Sequence, residues 1–358
     1  MAINFTEYFT PRAIAAYWDE AYSNRMEYLG DAFFGTKRKA GLDLKWIRGS
    51  KGVPVTLMPS TFDAKAKFRD RIGFKAVEAE MPFFREGYLL KEKDRQEIMR
   101  AADSNDPYAR EIINRVFDDV SDLVEGAHIV GERMIWQLLA PTSGAPGIAI
   151  VANGVDYTYN YDADGKWQAN NYTALSGTSQ WNNASSADPL TDMMTVMSKA
   201  RANTGVALTT AIMNTKTFNH LLKSEAVRAY VLAQNPSANV LLTPAVVKNA
   251  ISGILGLDVV VYDKAYRDDA GEIKSFYPDG MVTFVPDGEL GSLYKGTTPE
   301  EADLMGGSEA EVSIVDNGTA ITRIVNPHPV NIEIYASEIV LPSFERMDDV
   351  YALKVVAD

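Results

Sequence analysis

The chain has 358 residues, of which 46% are hydrophobic and 23% charged, so it can bury a sizeable core as two domains or as one domain with long extensions. It contains no cysteine, which excludes disulfides, thiolate metal ligands and cysteine nucleophiles. The net charge of −13 argues against nucleic-acid binding by the surface as a whole. There is no run of eighteen apolar residues, and the start lacks the basic and apolar regions of a signal peptide. We therefore expect a soluble protein that is not exported.

The first forty residues predict a short helix within an aromatic arm. Thr10 and Pro11 lead into residues 12–28, where apolar side chains recur at helical spacing. The arm is rich in large aromatic residues, among them Tyr8, Phe9, Trp18, Tyr22, Phe33 and Phe34. Such an aromatic load favours packing, either on the body of the same chain or on another subunit.

Residues 43–90 lack the pattern of a compact domain. Short strands are predicted at 44–47, 53–57 and 74–80, with turns rich in glycine, serine and proline between them, and they indicate a long two-stranded excursion. An isolated hairpin is marginal in water, so we expect this segment to rest on a partner surface. A charged helix is predicted after it, over residues 91–103.

The excursion and its approach are strongly basic. Eleven basic and three acidic residues lie between positions 37 and 75, a local net charge of plus 8 in a chain of −13. The basic residues are Lys37, Arg38, Lys39, Lys45, Arg48, Lys51, Lys65, Lys67, Arg69, Arg71 and Lys75. Such a segment suits a polyanion or the acidic face of a neighbouring copy, and the simpler alternative is a solvated loop.

The stretch from Asp106 to Leu139 predicts one unbroken amphipathic helix. Asp106 is a good N-cap, Pro107 suits the first helical position, and Pro141 and Gly144 end the pattern. The apolar positions recur every three or four residues, at Ile113, Val116, Phe117, Val120, Leu123, Val124, Ala127, Val130, Met134 and Leu138. About 33 residues at roughly 1.5 Å per residue make a rod of about 50 Å, which suits a flat or extended body.

The opposite face of that helix is predicted to be acidic and to point outward. Its carboxylates are Glu111, Asp118, Asp119, Asp122, Glu125 and Glu132, against only Arg110, Arg115 and Arg133. We therefore predict that something basic lies across this face.

A small sheet and a linker are predicted next. Residues 147–151 and 155–161 alternate like strands, and Asp162 to Gly165 is predicted as a turn into a further strand over 166–170. The turn partly matches a calcium loop, but the third acidic ligand and the terminal glutamate are missing, so a metal there is disfavoured. Residues 171–187 are small and polar, as in a linker.

From Asp188 to Gly307 the pattern is α/β. Helices are predicted at 190–203, 214–222, 224–234 and 244–255, and strands at 207–213, 259–262 and 281–284. Neither the dinucleotide fingerprint nor a P-loop accompanies them. Three late strands follow at 320–325, 330–333 and 351–356.

No pattern of residues predicts catalysis, a cofactor or a metal. His128, His220 and His328 sit in unrelated contexts without a metal-binding spacing, and no GxSxG supplies a serine nucleophile. The carboxylates show no paired spacing beside a plausible pocket. We expect no catalytic, cofactor-binding or metal site, and we predict that the chain is not an enzyme.

The order of segments and four late motifs carry a resemblance. The motifs are FYPDGMVTFVP at 276–286, GSLYKGTTPEE at 291–301, NPHP at 326–329 and IYASEIVLP at 334–342. With these features, the chain resembles the tailed-bacteriophage major capsid proteins of the Hong Kong 97-type fold, most closely the phage lambda major head protein E-like family.

The resemblance implies an α+β capsid fold with four parts. Residues 1–42 would form the N-arm, 43–90 the extended E-loop, and 188–307 the axial domain. Residues 91–187 and 308–358 would form the peripheral domain with its spine helix at 106–139. Copies would assemble into pentamers and hexamers of an icosahedral shell around double-stranded DNA.

The resemblance also implies partners and a location. The chain would bind itself, a scaffolding protein, a portal and in some cases a decoration protein, enclosing DNA without sequence-specific binding or membrane contact. It would assemble in the bacterial host cytoplasm and remain in the virion capsid. Some relatives begin with a long charged scaffolding segment, which is missing here, so a separate scaffold or a trimmed chain is expected. Nothing marks an isopeptide partner, and we predict no crosslinks.

Charge and resemblance together predict one contact between subunits. In this contact, the basic excursion of one copy lies on the acidic helix face of another. The candidate residues are Lys45, Arg48, Lys51, Lys65, Lys67, Arg69, Arg71, Asp118, Asp119, Asp122 and Glu125. Two alternatives stay open, namely a nanocompartment shell that encloses a cargo enzyme, and an unidentified α/β enzyme or binding protein.

Overall fold

The computed structural model describes residues 10–22, 28–49, 75–93, 96, 107–152, 154–234, 242–268, 270–307 and 310–357. The chain divides into two compact units, each built from three segments. Unit 1 comprises Met1–Leu44, Glu78–Met134 and Ser292–Ser343, and unit 2 comprises Lys45–Val77, Ile135–Gly291 and Phe344–Asp358.

Helices and strands alternate along most of the described chain. The helices are α1 (Pro11–Tyr22), α2 (Pro107–Leu139), α3 (Lys166–Asn171), α4 (Pro189–Asn203), α5 (Thr215–Lys223), α6 (Glu225–Gln234) and α7 (Pro244–Leu255). The strands are β1 (Phe34–Arg38), β2 (Asp43–Arg48), β3 (Lys75–Glu80), β4 (Phe83–Leu90), β5 (Gly147–Ala152), β6 (Val155–Asn160), β7 (Tyr172–Ala174), β8 (Thr210–Met213), β9 (Asp258–Val261), β10 (Ala265–Arg267), β11 (Ile273–Ser275), β12 (Met281–Val285), β13 (Gly291–Lys295), β14 (Glu311–Val315), β15 (Thr319–Pro327), β16 (Val330–Ser343) and β17 (Tyr351–Lys354). Shorter turns lie at Leu29–Ala32, Gly177–Ser179, Glu300–Leu304 and Met347–Asp349.

Unit 1 is organised around the 14-residue strand β16. The sheet order is β1-β13-β16-β15-β14, with β4 also paired to β16. The first part of β16 pairs antiparallel with β15 and with β4, and its last four residues pair with β13. One long strand therefore joins two stretches of sheet.

The helix α1 packs within unit 1. Ile14 and Trp18 are buried in one cluster with Val124 of α2 and with Ile321 and Ile334 of the sheet. Their spacing of four places both side chains on one face of α1. The aromatic arm therefore packs on its own chain along α1, one of the two predicted arrangements.

The predicted long helix is confirmed as the 33-residue α2, Pro107–Leu139. Leu123, Val124, Met134 and Leu138 of the predicted apolar stripe are buried. The predicted outward position of Glu132 is wrong, because that side chain is only 2% exposed. A neighbouring backbone N–H binds its carboxylate, as the next subsection describes.

Unit 2 holds a five-stranded sheet in the order β7-β17-β12-β8-β9. The strand β12 is central and pairs antiparallel with β17 and β8, while β8 pairs parallel with β9. Helices α4 to α7 contribute to the apolar cluster of this unit, with Met193, Phe218, Val227 and Val247 buried against the sheet. Their predicted positions are confirmed within one or two residues.

The segment after the β5–β6 hairpin differs from the prediction. Residues 166–170 do not continue a strand, since Lys166–Asn171 is the helix α3. The carboxylate of Asp162 accepts hydrogen bonds from the backbone N–H groups of Trp167 and Gln168, at 2.9 and 2.8 Å. A carboxylate that satisfies the free N–H groups of a first turn stabilises a helix there.

The predicted linker over 171–187 is also wrong. Tyr172–Ala174 is the strand β7, which pairs parallel with β17. Trp181 is buried, and its indole N–H donates to Asp192 at 2.9 Å. Because small polar residues are abundant in this segment, its sequence does not indicate that it is ordered.

The C-terminal strand lies in unit 2 rather than with the other late strands. The strand β17 pairs with β12 and β7, whereas β14, β15 and β16 belong to unit 1. Ile135–Gly291 and Phe344–Asp358 therefore belong to the same compact unit. Within the described part of the chain, every helix is too short or too polar to cross a membrane.

Candidate assembly surface

An acidic patch lies on the surface of unit 1, and we define it as Glu86, Asp119 and Asp122. Asp118, Asp119 and Asp122 are exposed on α2, and Glu86 is exposed on β4. Tyr88 of β4 lies near these carboxylates. The pKa of its phenol is raised, first by partial burial and then by the charges of Asp119, Asp122 and Glu86. The patch brings together residues more than thirty positions apart in sequence.

Part of the predicted acidic face is covered by the chain's own amino-terminal residues. The hydroxyl of Tyr17 donates to Asp118 Oδ1 at 2.5 Å, and that of Tyr28 donates to Glu125 Oε1 at 3.1 Å. The backbone N–H of Gly30 donates to both oxygens of Glu132, at 3.2 and 3.1 Å. The chain's own residues thus bind part of the face across which a basic segment is predicted to lie, and the acidic patch is the part that they leave exposed.

The basic candidates divide into two groups. Lys45 and Arg48 lie on β2, whose alternation exposes Lys45 and Ile47 and buries Leu44, Trp46 and Arg48. The strand β2 pairs with β3 in a two-stranded sheet, so the first and last of the three strands predicted for the excursion are present and paired. The remaining candidates lie outside the described residues, namely Lys51, Lys65, Lys67, Arg69 and Arg71.

Arg48 is only 6% exposed and is bound within unit 2. Its Nη2 lies 2.8 Å from Asp348 Oδ1, and its Nη1 lies 3.7 Å from Asp162 Oδ1 and 3.8 Å from Asp164 Oδ1. Its Nη1 also donates to the carbonyl oxygen of Tyr161 at 3.3 Å. Because its charge is already paired, we remove Arg48 from the candidate intersubunit residues and regard it as the anchor of the excursion's base.

A buried ion network joins several elements of unit 1. Lys295 Nζ lies 2.6 Å from Asp316 Oδ2 and 2.7 Å from Glu338 Oε1. His128 of α2 contacts Asp316 Oδ2 through Nδ1 at 3.0 Å and Asp31 Oδ2 through Nε2 at 3.2 Å. The side chains of Lys295 and Glu338 are 3% and 1% exposed. Breaking a buried ion pair of this kind is costly, because an unpaired charge would remain inside the protein.

The shape of one turn makes this network possible. Asp316 and Asn317 both have positive φ, 44° and 53°, in the tight turn between β14 and β15. A Cβ atom on Gly318 would lie 2.7 Å from Lys295 Cβ, so only glycine leaves room for the lysine. The sequence Asp-Asn-Gly is a hairpin signal, and it was the one local sign of this network.

Burial and charge shift the protonation of the network. Burial lowers the pKa of His128, but the hydrogen bonds and charges of Asp31 and Asp316 outweigh it and raise the value to about 9. Burial likewise opposes the charge of Lys295, whose pKa is nevertheless raised by Glu338 and Asp316. Burial raises the pKa of Asp316, but His128 and Lys295 lower it overall. At neutral pH, His128 and Lys295 are cations held between carboxylates.

Two further ion pairs hold the turn Glu300–Leu304 on unit 1. Arg38 Nη2 lies 2.6 and 2.5 Å from the two carboxylate oxygens of Glu301. Arg85 of β4 pairs with the buried Glu300, whose second oxygen accepts from Ser337 Oγ at 2.8 Å. These charges serve the subunit's own packing.

The other two histidines of the chain lie in different elements from His128. His220 lies on α5, where burial and then Lys223 and Lys216 lower its pKa. His328 precedes a cis proline between β15 and β16. Among the residues that the structure describes, no cluster of three histidine, aspartate or glutamate side chains has a geometry that would hold a metal ion.

Comparisons with known proteins place the chain among phage proteins. The family model described as phage major capsid protein E matches residues 10–355. A prophage protein of E. coli CFT073 described as a capsid protein is 12% identical, with 97% of this chain and 99% of that chain covered and a TM-score of 0.58. A phage-related protein of Bordetella bronchiseptica RB50 is 10% identical, with 96% and 97% covered and a TM-score of 0.57.

The capsid asymmetric unit of cyanophage A-1(L) contains a third similar chain. It is 13% identical, with 92% of each chain covered and a TM-score of 0.52. No curated protein matches this chain. At these identities the structural similarity establishes the fold, and the predicted α+β capsid fold is confirmed.

Proposed function

The chain belongs to the phage major capsid protein E family, and from this premise we propose that its copies form pentamers and hexamers of an icosahedral shell around double-stranded phage DNA. It is a structural shell protein of the virion capsid. The observation that carries this conclusion is the family match over residues 10–355, nearly the whole chain. The α+β fold shared with capsid structures agrees with it.

Association gives such a subunit stability that a lone chain lacks. Each copy in a closed shell repeats the same contacts with its neighbours, so a modest contact free energy acts many times. Exposed apolar side chains on the β5–β6 and β10–β11 hairpins, among them Val151, Val155 and Ile273, are available for such contacts. A repeated interface needs no reactive group, and we therefore assign the chain no catalytic role.

We assign the parts of the chain to the parts of a capsid subunit as follows. Residues 1–42 act as the N-arm and 43–90 as the E-loop, while the axial domain is centred on 188–307. Residues 91–187 and 308–358 serve as the peripheral domain, with 344–358 contributing a strand to the sheet of unit 2. A scaffolding protein, a portal and a decoration protein are the expected partners, and the host cytoplasm is the expected place of assembly.

The contact that we propose between subunits pairs the basic excursion of one copy with the acidic patch of another. The patch supplies Glu86, Asp119 and Asp122 as exposed carboxylates, and Tyr88 as exposed apolar surface beside them. The excursion supplies Lys51, Lys65, Lys67, Arg69 and Arg71, with Lys45 at its base. Opposite charges on two copies steer association and fix its register.

Charge reversal in the excursion is expected to reduce assembly. The double variant Lys65→Glu/Lys67→Glu should lower the yield of shells several-fold, because an exposed pair contributes only about 0.5 kcal/mol but recurs in every subunit. The yield is measured by sucrose-gradient sedimentation of the overexpressed chain. Adding Asp119→Lys/Asp122→Lys should restore it by reversing both partners.

The matched control is Lys166→Glu/Lys223→Glu, which makes the same change in net charge on two exposed lysines of unit 2. It should assemble like the natural chain. Equal loss in both double variants would show a general charge effect, and an unchanged yield for Lys65→Glu/Lys67→Glu in low salt would contradict the contact.

The enclosed molecule tests the remainder of the proposal. Particles purified from the natural host are expected to hold nuclease-protected double-stranded DNA. An enzyme cargo in place of DNA would contradict the phage-head assignment and favour a nanocompartment.

A further inference from the structure

Three side chains on one face of α2 hold a short segment of the amino-terminal arm. Glu125, His128 and Glu132 are spaced by three and four residues, so they lie on the same side of the helix. All three contact the segment Tyr28–Asp31, which we call the arm segment. This segment lies between α1 and β1, and it includes the first three residues of the turn Leu29–Ala32.

Each contact differs in chemistry. Glu125 accepts a hydrogen bond from the Tyr28 hydroxyl at 3.1 Å, and the Tyr28 ring lies over that of His128 with 4.6 Å between centroids. Glu132 accepts the backbone N–H of Gly30 at 3.1 Å. His128 Nε2 lies 3.2 Å from Asp31 Oδ2. Of the three contacts, only the one to Asp31 depends on a cation of α2. That cation is the protonated imidazole of His128, which loses its proton above neutral pH.

His128 is placed between two carboxylates from different elements. Its Nδ1 contacts Asp316, which Lys295 also binds, and its Nε2 contacts Asp31. An imidazole donates from both ring nitrogens only when it is protonated. The titratable and charged groups around it are Tyr28 and Asp31 from the arm segment, Asp316 from the β14–β15 turn, Lys295 and Glu338 behind Asp316, and Glu125, Glu132 and Arg133 on α2.

We propose that His128 is a charge-dependent clasp, which fixes the arm segment to α2 while the imidazole is protonated and releases it when the imidazole becomes neutral. A neutral ring keeps one N–H for two carboxylates. In either neutral tautomer the ring has lost its charge, and Asp316 still pairs with Lys295. Asp31 is therefore the carboxylate that loses its cation, and its contact with the arm side of His128 weakens most. Release uncovers Glu125 and Glu132 and so extends the acidic patch.

The direction of the pH effect follows from the shift of His128. Its pKa rises from 6.5 to about 9 in the folded chain, so the folded state favours the proton. The stabilisation is complete below pH 6.5 and is lost as pH rises through about 9. The arm segment should therefore open between these values, on the alkaline side of neutrality.

Hydrogen exchange of the full chain tests the clasp. Exchange at the Gly30 amide, corrected for the intrinsic effect of pH, is expected to rise by up to about 100-fold between pH 6.5 and 9.5. Amides of β12 in unit 2 serve as the internal control and should not follow this change. His128→Gln should exchange rapidly at pH 6.5 with little further response to pH.

A second variant keeps the test decisive if His128→Gln does not fold. Asp31→Asn removes the clasp at a partly exposed position and leaves the Lys295–Asp316 pair in place. It too should abolish the pH response at Gly30. A pH response that survives Asp31→Asn, or corrected exchange in the natural chain that is the same at both pH values, would overturn the proposal.

Discussion

Replacing Lys295 by methionine is expected to lower the free energy of unfolding by about 3–5 kcal/mol, because two buried carboxylates lose their cation. The lysine is 3% exposed and lies within 2.7 Å of both Asp316 and Glu338. Methionine fills similar space, so the loss reports on charge rather than on a cavity. Urea unfolding of the unassembled subunit, followed by circular dichroism, measures the change.

Two controls separate the buried charge from a general effect of the substitution. Lys274→Met breaks a pair of 2.5 Å on the exposed β10–β11 hairpin, and it should change stability far less. Combining Lys295→Met with Asp316→Asn and Glu338→Gln removes the uncompensated charges and should recover part of the loss. Equal effects of Lys274→Met and Lys295→Met would contradict the role given to the network.

The second large effect is expected from Trp136→Ala, at about 3–5 kcal/mol of stability. Trp136 is 1% exposed near the carboxyl end of α2, and its ring stacks on Tyr262 at 4.9 Å between centroids. It also meets the edge of Tyr277 at 5.3 Å. Alanine would leave a cavity against both rings, lowering the melting temperature in a thermal scan.

The same region ties the end of α2 to the central strand of unit 2. Thr283 of β12 donates its hydroxyl to the carbonyl oxygen of Leu139 at 2.8 Å, and Tyr277 donates to that of Ile212 at 2.8 Å. Trp136→Phe should keep most of the packing, and Met194→Ala at an exposed position should cost little. A Trp136→Ala chain as stable as Met194→Ala would show that this packing contributes little.

Elements with strong local signals were predictable. The helix α2 has an apolar period that holds from Ile113 to Leu138, about seven turns, and Pro107 and Pro141 mark its limits. The helices α4, α5 and α7 have side-chain N-caps at Asp188, Asn214 and Thr243, each accepting a backbone N–H from three residues on. Local chemistry determines such boundaries, so a single sequence carries the information.

Pairings between distant segments were not predictable. The sequence predicts no strand at β4, which lies within the excursion of residues 43–90, and its run of exposed residues gives little sign of its eight pairs with β16. Asp162 lies in a turn that suits either a hairpin or a helix cap, and only Arg48 and α3 around it decide between them. Tertiary contacts override weak local preference in both cases.

The acidic face shows where charge patterning fails. Periodicity places Glu125, Glu132 and Asp118 on the polar side of α2, but it does not reveal that Tyr28, Gly30 and Tyr17 of the same chain bind them. A carboxylate that binds a buried N–H and one that faces solvent have the same sequence signature. Asp119 and Asp122 remain exposed candidates for the partner, and their role rests on the charge-swap experiment.

Electron microscopy of the purified chain at neutral pH tests the shell assignment most directly. We predict closed particles of uniform size, with icosahedral symmetry and with density for each subunit that fits unit 1 and unit 2. A stable monomer that forms neither capsomers nor closed particles, alone or with its scaffolding protein, would contradict the shell assignment.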